Sequence, residues 1–578
     1  MHTAEASVSM RRRVRAVVRL RLTVLVAAVV LVATTLGAST RPVRARHGMV
    51  VASEPLATAA GLEVLRAGGS AIDAAVATAL ALAVTYPRAG NLGGGGFIVY
   101  RPAAGAPIAY DFRETAPARA SAEMFLVDGA YDRERHHNSH LAVGVPGTVA
   151  GLHLAWSEHG RLPWRRLVEP AIDLARDGII VSHDLADSLV AVLPQMTPYP
   201  ASVAQFSNNG RPYEAGDRLR QPDLARTLER IADQGHAGFY RGRTAELIEA
   251  EMAANGGLIT QADLATYGPR RRAPIQATYR GHEIISMPPS SSGGTALVQM
   301  LNILEGYDLA SSGFGSAGTV HLMTEAMRRA FADRARYLGD PDFNPTMPVA
   351  QLVSKPYADR LRATIQRDRA SLSSAVSFEW PAEGGETTHL SVVDADRQAV
   401  SLTYTLEQLY GSKIVVPGGG FLLNNEMGDF NAGPGLTDDS GLIGTPPNLA
   451  EPGKRMLSSM TPTIVAKDGR LFMVTGSPGG RTIINTVLQT IVNVIDFEMN
   501  VQEAVDAPRF HHQWLPDRIR HERRGLSPDT IALLESRGHR VGVGASQGAA
   551  QAIRYDDVTD LLEGAPDRRR SGSTALGY

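Results

Sequence analysis

Apolar and polar residues alternate along the chain with two periods, one typical of helices and the other of strands. Residues 54–69 and 71–85 carry apolar side chains at helical spacing, and the second segment is rich in alanine. Residues 97–101 and 107–112 are short apolar runs with strand character. A glycine-rich loop at 90–96 joins the helical part to these strands. This succession of helix and strand patterns is typical of an α/β fold.

The pattern changes in the last third of the chain. Residues 370–386 are polar, rich in serine and glycine, and without periodicity, so this stretch is the best linker candidate. After it, 389–393 and 399–406 form an apolar strand pair around a short turn, and 461–476 holds a second pair. An apolar helix is predicted at 481–494. The second part of the chain therefore begins with strands that directly follow a linker.

The N-terminus has the pattern of a secretory signal. Six arginines between positions 11 and 21 precede an apolar run at 22–36, and small residues follow at 37–39. A membrane-spanning helix needs about 20 apolar residues, so this run is short for that role. We therefore interpret residues 1–39 as a signal peptide and expect a periplasmic or secreted protein, with an uncleaved membrane anchor as the alternative.

Composition excludes several classes of protein. The chain has 578 residues, 44% apolar and 20% charged, which does not fit a disordered chain. At about 150 residues per domain, the length suggests three or four domains. The net charge of −1 argues against electrostatic binding of nucleic acid. The chain has no cysteine, which excludes disulfides, thiolate metal sites and a cysteine nucleophile. Any nucleophile must therefore be another side chain.

A threonine at the junction of linker and strand offers one such nucleophile. The second part opens Gly385-Glu386-Thr387-Thr388-His389. If the bond before Thr387 is cut, this residue gains an α-amine with a reference pKa of about 7.7–8.0. That amine can act as general base for the hydroxyl of the same residue. The hydroxyl can also make the cut itself, by attack on the carbonyl of Glu386. The alternative is two ordinary strand threonines beside a surface loop.

Two downstream features support a catalytic interpretation. Thr405 lies on the next predicted strand, where pairing across the turn would bring its hydroxyl towards Thr387. The loop Gly476-Ser477-Pro478-Gly479-Gly480 separates a strand from a helix, so its backbone N–H groups can form an oxyanion hole. An ordinary strand threonine and a plain turn are the alternatives.

Polar groups suited to an amino-acid head group also cluster in this part of the chain. Glu426 and Asp429 can hold an ammonium group, and Ser458 and Ser459, with a distant arginine, can hold a carboxylate. Helix caps and solvated charges remain alternative interpretations of the same residues.

In combination, the motifs resemble the γ-glutamyltransferase (glutathione hydrolase) family from about His47 to Tyr578. Each motif is weak alone, but their order over more than 500 residues is specific. The motifs are Gly90-Asn91-Leu92-Gly93-Gly94-Gly95-Gly96-Phe97, Asp111-Phe112-Arg113-Glu114, Gly144-Val145-Pro146-Gly147-Thr148, Thr387-Thr388-His389, Leu457-Ser458-Ser459-Met460, Gly476-Ser477-Pro478-Gly479-Gly480 and Pro508-Arg509-Phe510-His511-His512.

The resemblance implies an N-terminal-nucleophile hydrolase, a four-layer αββα sandwich made as an inactive proenzyme. Self-cleavage between Glu386 and Thr387 would give a large subunit, 40–386, and a small subunit, 387–578. The two subunits would remain one globular unit, so the domain count suggested by length would be too high.

The resemblance also implies a role for each site residue. Thr387 is the nucleophile that forms a γ-glutamyl ester, and Thr405 orients it. Gly479 and Gly480 match the oxyanion hole. The residues implied to hold the glutamyl head group are Arg113, Ser458 and Ser459 for its α-carboxylate, and Glu426 and Asp429 for its α-amine.

Two positions depart from the family pattern. Glu407 stands where well-known members have an asparagine that helps to bind the head group, so three acids would surround one ammonium group. One of these acids would then be protonated or turned away. Ser440 stands where some bacterial members carry a lid tyrosine, which implies a more open glutamyl pocket. Both departures concern substrate preference rather than the nucleophile.

The resulting hypothesis is a self-processing γ-glutamyl hydrolase and transferase. Its substrates would be glutathione and related γ-glutamyl compounds, and its acceptors water, amino acids or dipeptides. No cofactor, metal or nucleic acid is expected, since neither His136-His137 nor His511-His512 has ligand partners at metal-site spacing. Asp567-Arg568-Arg569-Arg570 is predicted to be a solvated turn.

Two alternatives remain open. The first is an acylase of the same fold for glutaryl or cephalosporin-type amides. The second is an unprocessed secreted binding protein without turnover.

Overall fold

A computed structural model describes residues 40–373, 387–436 and 444–578. The predicted signal peptide, Glu386 with most of the linker, and Ser440 lie outside the described residues. Residues Pro42–Tyr578 form one compact unit rather than the three or four domains suggested by length.

Fourteen strands of the described residues form two large antiparallel sheets. They are β1 (Val43–Ala45), β2 (Met49–Ala52), β3 (Gly95–Arg101), β4 (Ile108–Phe112), β5 (Arg270–Arg272), β6 (Ile275–Tyr279), β7 (His282–Ser286), β8 (Thr387–Val393), β9 (Ala399–Thr405), β10 (Thr463–Lys467), β11 (Arg470–Gly476), β12 (Gln551–Asp556), β13 (Leu561–Pro566) and β14 (Thr574–Gly577). Shorter strands are Leu126–Val127, Ala130–Tyr131, Ile179–Ile180, Ser207–Asn208, Arg211–Pro212, Arg218–Leu219, Phe510–His511, Ile519–Glu522 and Val541–Gly544.

The order of strands in each sheet mixes segments from before and after position 387. Sheet I has the order β5-β4-β3-β9-β8-β2-β14, and sheet II has the order β1-β13-β12-β11-β10-β7-β6. In sheet I, β8 and β9 therefore lie between β3 and β2, with every neighbouring pair antiparallel. This position places the predicted nucleophile near the middle of the sheet rather than at its edge.

Helices cover the outer faces of both sheets. The longer ones are α1 (Pro55–Arg66), α2 (Ala71–Thr85), α3 (Thr148–His159), α4 (Trp164–Asp177), α5 (His183–Met196), α6 (Pro222–Gln234), α7 (Gly242–Ala254), α8 (Gly293–Leu304), α9 (Ala317–Tyr337), α10 (Lys355–Arg362), α11 (Thr482–Ile495) and α12 (Pro528–Ser536). Shorter helices are Arg133–His137, Pro200–Phe206, Ala237–Tyr240, Gln261–Thr266, Leu309–Ser312, Val349–Leu352 and Val501–Asp506.

The layers follow the predicted αββα order. Helices α1, α2 and α3 contact sheet I, and α8 and α11 contact sheet II, while the two sheets face each other. Alternate residues of one strand accordingly enter different cores: Val392 faces the helices over sheet I, whereas Val393 packs on the side of sheet II. Both faces of the central strands β3, β8 and β9 are therefore buried, which agrees with their largely apolar sequences.

Helix α2 shows why the alanine-rich segment is needed. All 15 of its residues are buried, and small side chains allow close approach to sheet I and to neighbouring helices. Ser70 and Asp73 form a capping box at its start, which satisfies backbone N–H groups that would otherwise be buried without partners.

Residues 567–570 form the predicted turn with Arg568 exposed, but Asp567 and Arg569 are not solvated as the sequence predicts. Asp567 is fully buried and accepts hydrogen bonds from Arg509 Nη2 at 2.7 Å and from the backbone N–H of Ala550 at 2.8 Å. Arg569 pairs with Glu522 at 2.6 Å. The predicted solvation of Asp567 and Arg569 is wrong because partners distant in sequence neutralise these charges inside the fold.

Within the described part of the chain, no helix combines the length and the apolar character required to cross a membrane.

Candidate active site

Thr387 is the first residue of β8, and its side chain lies directly across from Thr405 on β9. The Thr387 hydroxyl donates to Thr405 Oγ1 at 3.4 Å, and both residues are almost fully buried. The backbone N–H of Glu407 also donates to Thr405 Oγ1, at 2.9 Å. Thr405 is thus fixed from a second side, so its hydroxyl can orient that of Thr387.

The register that brings these hydroxyls together is set by a tight turn. Asp394 Oδ1 accepts from the backbone N–H groups of Asp396 and Gln398, at 3.0 and 2.9 Å. Strands β8 and β9 then pair over seven residues in a constant register, from the pair beside the turn to the pair Thr387 and Thr405. A slip by one residue would move every side chain to the other face, so the apolar pattern and the turn together determine this contact.

The glycine loop lies between β11 and α11, next to the two threonines. Gly479 and Gly480 have φ angles of +127° and +55°, which favour glycine. Within the described residues, neither glycine donates its backbone N–H to a protein acceptor. The loop also precedes the N-terminus of α11, where the helix dipole favours negative charge. These groups are therefore suited to stabilise an oxyanion.

One cavity, with about 300 Å³ of space between atoms, collects the predicted site residues. All the predicted catalytic and substrate-binding residues line it except Gly479, which adjoins Gly480. The lining residues are Arg113, Thr387, Thr405, Glu407, Glu426, Asp429, Ser458, Ser459, Met460, Gly480 and Ile483. Residues more than 300 positions apart thus meet beside the threonine hydroxyl.

Arg113 is the central cation of this cavity. It is fully buried and forms ion pairs with Glu426 and Asp429, and its Nε donates to the carbonyl of Met456 at 3.2 Å. A ligand with both an ammonium and a carboxylate group can replace these pairs, because its carboxylate can bind Arg113 while its ammonium group binds Glu426 and Asp429. A ligand with a carboxylate alone would leave the acids uncompensated.

The acids of the site outnumber its arginine. Burial raises the pKa of Glu407 and, more strongly, that of Glu426. Burial also raises the pKa of Glu114, to about 7, and this carboxylate lies 3.5 Å from Arg113 Nη1. The carboxyl groups of Glu114, Glu426 and Asp429 thus lie within ion-pair distance of one guanidinium, and Glu407 lines the same cavity. An additional cation is therefore electrostatically favoured. Glu114 is not among the site residues predicted from the sequence, although it follows Arg113 directly in the motif Asp111-Phe112-Arg113-Glu114.

Glu407 is held in place by residues that sequence reasoning missed. The side-chain amide of Asn425 donates to its carboxylate, and His137 Nδ1 lies 3.6 Å from it. Its φ angle of +80° is strained for a side chain other than glycine. The asparagine in Asn424-Asn425-Glu426 was visible in the sequence, whereas nothing in the sequence links His137 to this site.

The serine pair is positioned by a loop and a helix from the first part of the chain. The backbone N–H of Ser458 donates to the carbonyl of Ser290 at 3.0 Å. Arg334 of α9 donates to Ser459 Oγ at 3.0 Å and to Ser292 Oγ at 2.7 Å. Arg334 is almost fully buried and adds positive charge on the serine side of the site. It lies in an ordinary helical pattern, so no sequence signal singles it out.

A separate buried cluster has the residue types of a metal site, but neighbouring positive charges make it unfavourable for a metal ion. His321, Glu325 and His539 place their ligand atoms within 4.8 Å of one another. Glu325 already accepts from Arg328 Nε at 3.3 Å and from Arg329 Nη1 at 2.6 Å. Two guanidinium groups beside the carboxylate disfavour a cation, so we assign this cluster to the packing of α9 against the C-terminal part.

Comparisons with known proteins agree with this geometry. The family model described as Gamma-glutamyltranspeptidase matches residues 57–577. The chain is 49% identical over 541 residues to the glutathione hydrolase proenzyme of Escherichia coli, covering 93% of each. It is 40% identical to the acylase ACY 1 proenzyme of a Pseudomonas strain, over 87% of this chain and 88% of that protein.

Among solved structures, the fold is similar to the cephalosporin acylase from Bacillus halodurans. The TM-score is 0.83 at 29% identity, covering 94% of this chain and 98% of that one.

Proposed function

The chain belongs to the gamma-glutamyltranspeptidase family, and from this premise we propose that it is a self-processing γ-glutamyltransferase and glutathione hydrolase. The observation that carries the proposal is the position of the Thr387 hydroxyl at the start of β8, beside a cavity with one buried arginine and several acids. The hydroxyl supplies a nucleophile, and the cavity is suited to an amino-acid head group.

Maturation begins with the precursor. Thr387 Oγ1 attacks the carbonyl carbon of Glu386, the carbon–nitrogen bond between the two residues breaks, and the nitrogen takes a proton to become the α-amine of Thr387. Water then hydrolyses the resulting ester, which restores the hydroxyl and leaves a carboxylate on Glu386. The products are the large subunit, 40–386, and the small subunit, 387–578. The hydrogen bond with Thr405 supports this role, because it directs the attacking oxygen.

Turnover uses the same hydroxyl. The new α-amine removes its proton, and Thr387 Oγ1 attacks the γ-glutamyl carbonyl. The backbone N–H groups of Gly479 and Gly480 stabilise the oxyanion, and the leaving amine departs with a proton. Water, or the amine of an amino acid or dipeptide, then attacks the γ-glutamyl ester on Thr387 and releases glutamate or a new γ-glutamyl compound.

The head group of the substrate is held by opposite charges. Arg113, Ser458 and Ser459 take the α-carboxylate, while Glu407, Glu426 and Asp429 take the α-amine. Binding exchanges the ion pairs that Arg113 makes with Glu426 and Asp429 for pairs with the substrate. Glutathione and related γ-glutamyl compounds present both charges beside the scissile amide.

The acid cluster also argues against the acylase alternative. A glutaryl side chain has no α-amine, so it would give Arg113 a carboxylate and leave the acids without a cation. Comparing kcat/KM for γ-glutamyl and glutaryl anilides distinguishes the two activities, since an acylase prefers the second.

A denaturing gel of the purified protein, with N-terminal sequencing of the smaller band, tests maturation. We expect two bands, with the smaller one beginning at Thr387, and hydrolysis of a chromogenic γ-glutamyl anilide. Thr387→Ala should give one band and no activity. Thr388→Ala is the matched control, because the hydroxyl of Thr388 contacts Ser53 Oγ at 3.1 Å, and it should still be cleaved. An active protein with one band would overturn the proposal.

We also propose export to the periplasm or the medium. The arginine-rich segment and the apolar run within 1–39 support it. Cell fractionation, with sequencing of the mature large subunit, tests this location.

A further inference from the structure

A second cavity lies beside the segment that follows Glu407. It lies between α5, the short helix Arg133–His137 and the segment 408–413, and the space between its atoms, open solvent included, is about 1260 Å³. The two cavities are lined by consecutive residues, since Glu407 lines the first and Gln408 lines the second. The segment 407–408 therefore borders both cavities.

Lys413 supplies a buried cation to this second cavity. Its exposed fraction is 6%, and its Nζ donates to the side-chain carbonyl of Gln408 at 3.1 Å. Among the described residues, no carboxylate lies within ion-pair distance of this ammonium group. The other buried cation in the lining, Arg88, is by contrast paired with Asp184. Lys413 thus keeps hydrogen-bonding capacity and charge for a ligand.

This placement of Lys413 is costly for the fold. Burial lowers the pKa of its ammonium group, while the field of Glu407 raises it, so the two sites are electrostatically connected. The backbone of Lys413 is left-handed, with φ +65°, and so are those of Tyr410 (φ +59°) and Glu407. Strained backbone around an unpaired buried charge is typical of a binding site, because folding alone would not favour it.

We propose that the second cavity binds the carboxylate at the far end of the leaving group or acceptor, with Lys413 as its main contact. This inference rests on the proposed function. Once the γ-glutamyl head group lies against Arg113, the remaining anion of glutathione is its terminal carboxylate. The leaving dipeptide reaches about 7 Å from the scissile nitrogen when extended. Arg133, exposed at the rim, adds positive charge where this carboxylate enters.

An acceptor amino acid or dipeptide carries the same carboxylate behind its reacting amine. It would therefore use the same cavity in the second half of the reaction. Recognition of a free carboxylate by an ammonium group is a charge-assisted hydrogen bond, so an amide or ester at this end should bind less well.

The experiment compares glutathione with glutathione whose glycine carboxylate is converted to an amide. Glutamate release by the processed enzyme gives kcat/KM for each compound. We expect the wild type to prefer the free carboxylate about tenfold, which corresponds to about 1.4 kcal/mol. Lys413→Met should reduce this preference to about twofold or less, and Lys413→Arg should restore most of it. Lys467→Met is the matched control, because Lys467 is exposed at a strand end, and it should keep the preference.

Hydrolysis of a γ-glutamyl anilide by the wild type separates this inference from the proposed function. Absence of anilide hydrolysis in processed wild type means that the proposed function fails. Hydrolysis of the anilide, with equal use of glutathione and its amide, overturns the assignment of the cavity alone. If Lys413→Met does not fold, Arg133→Gln at the exposed rim replaces it, with an expected loss of preference of about threefold. An unchanged preference in either folded variant contradicts the proposal.

Discussion

The hydroxyl of Thr405 lies 3.4 Å from that of Thr387, directly across an antiparallel strand pair. Because the backbone N–H of Glu407 donates to the same Thr405 oxygen, this hydroxyl cannot turn away without losing a buried hydrogen bond. The contact therefore belongs to the folded scaffold, and it is already present in the uncut chain.

Removing this hydroxyl should slow both reactions of Thr387. Thr405→Val keeps the shape of the side chain but loses the oxygen, so we expect kcat to fall about 10- to 100-fold and self-cleavage to slow in parallel. Thr405→Ser keeps the oxygen and is the control. Time courses on denaturing gels and initial rates with a γ-glutamyl anilide measure the two effects. Equal rates for the valine and serine variants would show that the contact has no catalytic role.

A methyl group on the glycine loop should disturb the oxyanion hole. In Gly479→Ala the new Cβ would lie 2.6 Å from Thr482 Oγ1, and φ is +127°. We expect kcat to fall about 100-fold, with a smaller change in KM, because the affected N–H groups act in the transition state. Gly469→Ala is the matched control: its φ is +73°, but no atom lies within 4 Å of the new Cβ. A similar loss of kcat in both variants would indicate general strain instead.

Substrate affinity should depend on pH through the acid cluster. Burial raises the pKa of Glu114 to about 7 and raises that of Glu426 as well. As the pH falls through these raised pKa values, the acids become neutral, the ammonium group of the substrate loses its partners, and KM should rise. In Glu407→Asn the pKa of Glu426 should fall, because the charge of Glu407 helps to raise it.

As the pH is lowered, KM of the Glu407→Asn variant should therefore begin to rise at a lower pH than KM of the wild type. KM for a γ-glutamyl anilide between pH 5 and 9 measures the shift. Glu246→Asn, an exposed acid, serves as control and should match the wild type. A profile for Glu407→Asn that coincides with the wild type would contradict the coupling of the acids.

The buried acid at the C-terminal turn should matter for stability rather than activity. Asp567→Asn leaves Arg509 without its carboxylate, and breaking a buried ion pair costs about 3–5 kcal/mol of the free energy of unfolding. Asp560→Asn, whose side chain is 58% exposed, should change it by less than about 1 kcal/mol. Denaturant unfolding of the processed proteins measures both. Similar free energies of unfolding for the two variants would show that the buried ion pair of Asp567 with Arg509 does not stabilise the fold.

The sequence predicts those parts of the site that depend on local pattern. The apolar strands and the turn at Asp394 determine the register, so the approach of Thr405 to Thr387 follows from residues close to each other in the chain. The glycine loop is likewise visible, because adjacent glycines before a helix allow unusual backbone angles.

Residues that reach the site through tertiary packing could not be predicted in this way. Arg334 lies on α9, more than 120 positions from Ser459, and nothing in its helical pattern marks it as a partner. His137 reaches Glu407 from a short helix in the first part of the chain. Asp567 looks exposed in sequence because its neighbours are arginines, and its burial depends on Arg509, which lies 58 positions away in the loop before the strand Phe510–His511.

Both sheets combine strands from either side of position 387, with β9 against β3, β8 against β2, and β10 against β7. Separating the two halves after scission would break these ladders and expose both cores at once. We therefore expect covalent continuity across that point to be necessary for folding, but not for keeping the folded protein together afterwards. Nicked material should melt in a single transition, and two fragments unfolded apart should fail to find each other again, since neither contains a complete sheet.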